Sequence, residues 1–143
     1  MQKIFKSALF VLCASLFMFG WCKKDKTTPP NNSLTAQIGS SQFNSSGNDV
    51  NVNLTGSELT ITGVSGDEVL TVAVANYTNA TGTFHFDNGE ALGGYASSGT
   101  SGDDVIVSGT LTITQVGGTI AGTFSGTTQG GTSVSNGSFS VQQ

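Results

Sequence analysis

The stretch DVIVSGTLTITQVGGTIAGTFSG, residues 104–126, decides the fold, because its apolar residues recur at every second position. Before the turn at 116–118, the apolar residues that share one phase are Val105, Val107, Leu111 and Ile113. After the turn, Ile120 and Phe124 share a face, with Gly122 between them. Successive side chains of a strand point to opposite faces of a sheet. The period therefore predicts two half-buried antiparallel strands joined by a hairpin.

The same alternation runs through residues 34–143, which we interpret as one β domain. The predicted inward-facing residues of its other strands are Leu59, Ile61, Leu70, Val72, Val74, Phe84, Phe86, Phe139 and Val141. Asn88–Gly89, within DNGE at 87–90, is the strongest turn signal and predicts a type I′ hairpin. Glycines within strands, such as Gly93–Gly94 and Gly109, predict bulges or bends. We expect an all-β fold, an antiparallel meander of about nine short strands that forms a β-sandwich or an up-and-down barrel.

Residues 1–21 have the pattern of a secretory signal peptide. Lys3 and Lys6 give a positive start, and an apolar run of roughly 14 residues follows, from Ala8 to Trp21. A membrane-spanning helix needs about 20 apolar residues, so the run is too short to favour one. We therefore leave residues 1–21 out of the fold.

Cys22 directly follows the apolar run, and we predict that it is the lipidated first residue of the mature protein. The segment resembles a bacterial lipoprotein signal, in which cleavage occurs just before a cysteine that carries the lipid. The residue before that cysteine is usually small, and here it is Trp21. Cys13, the other cysteine, lies within the apolar run. Residues 22–33 are predicted to be a polar tether that links the acylated Cys22, and thus the lipid bilayer, to the β domain.

Five segments of the chain carry a wider resemblance: LTAQIGSSQFNSS, SELTITG, TGTFHF, GTLTITQVGGTIAGTFSG and VSNGSFSV. With them, the chain resembles a family of small Bacteroidota lipoproteins of unknown function, the DUF6252-like group. The resemblance implies a signal peptide, a short tether and one β domain. It implies no established activity and no functional residues.

The charge of the β domain restricts its partners. Eight of the nine acidic residues and none of the five basic residues fall within residues 34–143, so this segment carries a charge of −8. Proteins that bind DNA or RNA use cations to neutralise the phosphates. A phosphate-bearing cofactor needs cations or a set of backbone amides. We therefore exclude nucleic acid as a partner and expect no cofactor.

The candidate sites for chemistry are weak. His85 is the only histidine, and Asp87 and Glu90 lie close to it in the sequence. A zinc site needs three or four good ligands, and residues 34–143 contain no cysteine, so we interpret His85 as a solvent-facing strand residue. The acidic pairs Asp67–Glu68 and Asp103–Asp104 lack the spacing of a calcium loop. No G-x-S-x-G motif occurs, and we expect no catalytic or metal-binding residues and no enzyme activity.

Two functions remain open from the sequence. The first is a membrane-anchored envelope lipoprotein of the outer membrane, on its periplasmic or its surface face. Its non-enzymatic β domain is then an interaction or accessory module for an envelope protein or glycan. The second is a carrier that holds an apolar small molecule or lipid in a barrel interior or cleft. An interior filled by side chains favours the first function.

Overall fold

The computed structural model describes residues 31–99 and 104–143, and these residues form an all-β fold. A short 3-10 helix at Gly47–Asp49 separates the second strand from the third. The ten strands are β1 (Ser33–Ile38), β2 (Ser41–Ser46), β3 (Val50–Thr55), β4 (Glu58–Ser65), β5 (Glu68–Val74), β6 (Gly82–His85), β7 (Ala91–Ser97), β8 (Asp104–Gln115), β9 (Thr119–Thr128) and β10 (Ser133–Gln142). The predicted all-β class is confirmed, with ten strands where the sequence suggested about nine.

The strands form one antiparallel, nearly closed, barrel-like sheet in the order β2-β1-β10-β9-β8-β7-β5-β4-β3, and β6 pairs with β8 beside this path. Ser45 links β2, at one end of the sheet, to β4, which lies next to the other end. Its hydroxyl donates to the Asp49 carbonyl at 3.0 Å and accepts the Val64 N–H at 3.0 Å. The first and last strands of the described residues, β1 and β10, pair with each other.

Apolar side chains from both halves of the sheet fill the interior. The largest fully buried residues are Phe43, Leu34, Leu59, Ile61, Leu70, Leu111, Ile113, Ile120, Val72, Val74, Val134 and Val141. The predicted inward faces of β4, β5, β9 and β10 are therefore confirmed. Phe86 is buried as expected, and Phe84 is partly buried against the core.

Glycines make room for three of the core phenylalanines. An added Cβ at Gly122 would lie 2.5 Å from Cζ of Phe139, and one at Gly137 would lie 2.6 Å from Cδ2 of Phe124. A Cβ at Gly93 would lie 3.1 Å from a ring carbon of Phe86. Each ring lies over a glycine backbone, so a domain with few aromatic residues still fills its interior.

The prediction of which residues face inward is wrong at the start of β8. Val105 and Val107 are 46% and 45% exposed, whereas Ile106 is only 3% exposed. The pairing of β8 with β9 shifts register between Ile106 and Ser108, which marks a bulge. A bulge adds one residue to a strand and reverses the faces on one side of it. Leu111 and Ile113, beyond the bulge, keep the predicted inward orientation.

Gly109, next to this bulge, has a φ of +110°, a conformation that L side chains rarely adopt. The prediction that it marks an irregularity is confirmed. The pairing of β7 with β5 runs through Gly93 and Gly94 without a register shift, so no bulge lies there.

The Asn88–Gly89 segment does not form the predicted hairpin. It joins β6, which pairs with β8, to β7, which pairs with β5 and β8. A type I′ turn needs positive φ at both central residues, and here Gly89 has a φ of +79° while Asn88 is not positive. Asn88 Oδ1 instead accepts the Glu90 N–H at 3.0 Å. Such a local side-chain hydrogen bond competes with hairpin geometry.

The folded domain begins slightly earlier than the predicted boundary at residue 34. Asn32 is buried, and its Oδ1 accepts the Gln142 N–H at 2.8 Å. Its Nδ2 donates to the Val50 carbonyl at 3.5 Å. The predicted signal peptide, Cys22 and most of the predicted tether lie outside the described residues. Among the described residues, no helix has the length and apolar character needed to cross a membrane.

Candidate functional site

An open groove of about 440 Å³ lies on the outer face of the sheet, across β4, β5, β7 and β8. Strand pairing builds its floor, because Thr71 lies opposite Gly94, and Gly94 lies opposite Val105. A Cβ added to Gly94 would meet nothing within 4 Å. The missing side chain at Gly94 therefore leaves the depression open.

Apolar side chains flank the floor of this groove. Leu92 is 51% exposed, and it lines the groove together with Val69, Ala73, Ala96 and Val105. Among the described residues, five large apolar side chains are exposed, and two of them, Leu92 and Val105, line the groove. Burying such groups contributes about 25 cal/mol per Å² of apolar surface. The groove is thus suited to receive an apolar group from a partner or ligand.

One carboxylate gives the groove a polar end. Glu58 lines it, and Glu58 Oε1 accepts a hydrogen bond from the Thr60 hydroxyl at 3.1 Å. The remaining acceptor positions of the carboxylate can receive donors from a bound molecule. The groove therefore combines apolar flanking side chains with a site for an amine, guanidinium or hydroxyl group.

Sequence reasoning missed this groove. The only sequence signal for the groove was the pair of consecutive glycines, Gly93 and Gly94, inside a strand. Val105 gave no signal, because the alternation assigned it to the core. The bulge that turns Val105 outward follows from pairing between β8 and β9, which a single-strand period does not contain.

The opposite outer face of the barrel is rich in hydroxyl groups. One cross-strand row runs through Thr83, Thr112, Thr123, Ser138 and Thr35 on β6, β8, β9, β10 and β1. Thr83 and Thr112 share a hydrogen bond of 3.1 Å, and Thr35 and Ser138 share one of 2.9 Å. A polar depression of about 620 Å³ lies beside this row. The two outer faces thus differ in chemistry, one apolar and one hydroxyl-bearing.

The structure brings His85, Asp87 and Glu90 to one exposed turn. His85 Nδ1 lies 3.9 Å from Asp87 Oδ1. Glu90 Oε2 accepts the backbone N–H of His85 at 3.2 Å. The hydrogen bond from the Asn88 side chain, and then the one from the His85 backbone, lower the pKa of Glu90. The Glu90 carboxylate therefore holds the turn. Within residues 31–99 and 104–143, no three His, Cys, Asp or Glu side chains gather as metal ligands.

The acidic pairs also make structural contacts. Glu68 Oε1 accepts the Tyr95 hydroxyl at 2.5 Å. Asp104 Oδ1 accepts the Gly130 N–H at 2.9 Å, which ties the start of β8 to the turn between β9 and β10. Asp103 lies outside the described residues.

We expect both tyrosines to titrate above the ordinary phenol value of 10.0. Burial raises the pKa of Tyr77; burial, and then the hydrogen bond and charge of Glu68, raise the pKa of Tyr95. The folded state binds these protons more tightly than the unfolded chain. Their contribution to stability is thus complete below pH 10 and is lost as the pH rises through the folded pKa values.

Ultraviolet absorbance of the phenolate measures this titration, with Tyr77→Phe used to isolate Tyr95. Glu68→Gln should lower the pKa of Tyr95 and leave that of Tyr77 unchanged. An unchanged Tyr95 titration in Glu68→Gln would contradict the contact.

Comparison of the chain with family models, curated proteins and solved structures finds no match. The resemblance to small Bacteroidota lipoproteins therefore stays a hypothesis drawn from sequence patterns.

Proposed function

We propose that the protein is an envelope lipoprotein, anchored to the outer membrane through acylated Cys22, whose β domain is a non-enzymatic interaction module. The binding surface is the apolar groove on β4, β5, β7 and β8. The observation that carries this proposal is the exposure of Leu92 and Val105 beside the bare backbone of Gly94. Exposed apolar patches that are rimmed by polar residues commonly mark interaction sites.

The charge of the domain indicates the chemistry of the partner. Residues 34–143 contain eight carboxylates and no lysine or arginine, and Glu58 lies in the groove itself. A partner with a basic surface is attracted to this acidic domain and associates faster, whereas an acidic partner is repelled. The partner is therefore an envelope protein that presents an apolar side chain next to a basic or hydrogen-bond-donating group.

The anchor in this proposal rests on the position of Cys22 between an apolar run and a lysine-containing tether. Each buried CH₂ group of an acyl chain contributes about 0.8 kcal/mol, and two chains give stable attachment. Lys23, Lys24 and Lys26 directly follow the cysteine and can interact with anionic headgroups.

A carrier of apolar small molecules is the second candidate. Side chains fill the barrel interior, so a ligand would occupy the outer groove. Its volume of about 440 Å³ falls within the range of about 300–1,000 Å³ for small-molecule sites. Native mass spectrometry of protein purified from its host should then show a bound ligand. The Gly94→Val variant, purified in the same way, should show no bound ligand.

The interaction proposal is tested with a photo-crosslinking amino acid at position 92, in the full chain and in its host envelope. We expect covalent adducts with a discrete protein partner. The same amino acid at Thr123, on the hydroxyl-bearing face, is the matched control and should give background only. Adding Gly94→Val should abolish the adducts, because its side chain projects into the groove. Equal labelling from positions 92 and 123 would contradict the proposal.

A further inference from the structure

The open edge of the sheet at β3 offers a second surface, separate from the groove. In the part of the chain that the structure describes, β3 pairs with β4 alone. Only Val50 of β3 is buried, whereas Leu54 is 49% exposed although its neighbour across the strand pair, Leu59, is 1% exposed. Leu54 thus extends the inner apolar layer to an edge where no further strand follows.

The hairpin geometry fixes which backbone groups of β3 face outward. The turn between β3 and β4 has two residues, so the pair that flanks it, Thr55 and Glu58, exchanges hydrogen bonds. Every second residue back along β3 does the same, which leaves Val52 and Leu54 with their N–H and C=O groups turned to the open edge. Val50 has the same phase, but its N–H donates to the Gly47 carbonyl. The Val50 carbonyl agrees with this phase, because it accepts Asn32 Nδ2 from outside the sheet.

The sequence of β3, VNVNLT, is complementary to itself in an antiparallel pair. When Val52 lies opposite Leu54 of a second copy, both residues present outward backbone groups and can exchange two hydrogen bonds. The two-fold axis repeats that pair, so four backbone bonds form around a central Asn53 pair. The apolar side chains of both copies then lie on the same face.

Charge does not oppose this register locally. β3 has no charged residue. In this register Asn51 lies opposite the second copy's Thr55, and the nearest acidic residue after β3, Glu58, is on β4, one strand away from the contact. An edge strand without lysine, proline or a bulge lacks the features that block edge pairing.

We propose that two copies of this chain associate through antiparallel pairing of β3 with β3, with Asn53 on the two-fold axis. Standard interfaces bury at least about 1,200 Å² of surface. One strand pair buries less than this, so we expect the contact to be reversible. Each domain carries a charge of −8, so salt should strengthen association by screening the repulsion between copies. The inference does not depend on the groove or on its partner.

The test is a disulfide at the predicted axis, in the full chain. Asn53 forms a non-hydrogen-bonded pair in this register, with a Cα separation of about 4.5 Å. This lies within the range of about 4.4–6.8 Å for disulfides. Asn53→Cys should give a reducible dimer under mild oxidation, at least five-fold above the unmodified chain, which supplies the baseline for Cys13 and Cys22. Asn44→Cys, an exposed position on the other edge strand β2, should stay at baseline.

A pair of charge substitutions completes the test. Leu54→Lys added to Asn53→Cys should reduce the dimer at least five-fold. Leu92→Lys, at a side chain of similar exposure, should leave it unchanged. A dimer yield at Asn53→Cys no higher than at Asn44→Cys would overturn the proposal, and so would a dimer insensitive to Leu54→Lys.

Discussion

Gly122→Val is expected to lower the free energy of unfolding by about 3 kcal/mol or more, because overpacking of a filled core costs about 1–3 kcal/mol and more when backbone is involved. An added Cβ at Gly122 would collide with the Thr112 carbonyl on β8 and lie 2.5 Å from the ring of Phe139 on β10. β9 lies between these two strands, so the new side chain must displace both neighbours. The total stability of a domain is about 5–15 kcal/mol, so much of it is lost.

Gly94→Val is the matched control. Gly94 also lies within a strand, at an ordinary φ, and an added Cβ there meets nothing within 4 Å. Valine suits a strand better than glycine, so stability should stay the same or rise by up to about 1 kcal/mol. Urea unfolding followed by circular dichroism measures both variants. Equal stability losses at positions 94 and 122 would contradict the described packing of glycines against phenylalanine rings.

Cys22→Ser is expected to abolish the incorporation of a labelled fatty-acid analogue supplied to the host cells. The expected loss is complete, because acylation requires the thiol of Cys22. Cys13→Ser is the matched control and should keep the label at the level of the unmodified chain. If the label persists in Cys22→Ser, or disappears in Cys13→Ser, the prediction that Cys22 carries the lipid is wrong.

The alternation of apolar residues predicted most of the fold, because burial on one face of a strand is a local property of the sequence. Leu59 and Ile61, like Phe139 and Val141, face the core as expected. The orientation of Val105 was not predictable in this way, since the bulge near Gly109 depends on how β8 pairs with β9. The prediction of a hairpin at Asn88–Gly89 was wrong for a related reason, because the strands on either side of this turn pair with other strands of the sheet.

The groove depends even more on long-range structure. Its floor combines Thr71, Gly94 and Val105 from three strands, and only the sheet order makes them neighbours. Cys22, in contrast, is a prediction from the sequence alone, because a signal for lipidation is read along the chain and needs no fold.

The most direct test of the lipoprotein account is the intact mass of the protein extracted from membranes, with analysis of its N-terminal peptide. We expect a chain that begins at Cys22, lacks residues 1–21 and carries the added mass of the acyl groups on that residue. A chain that begins at Cys22 without added mass, or one that retains residues 1–21, would show that Cys22 is not processed as a lipoprotein cysteine and would contradict the anchor.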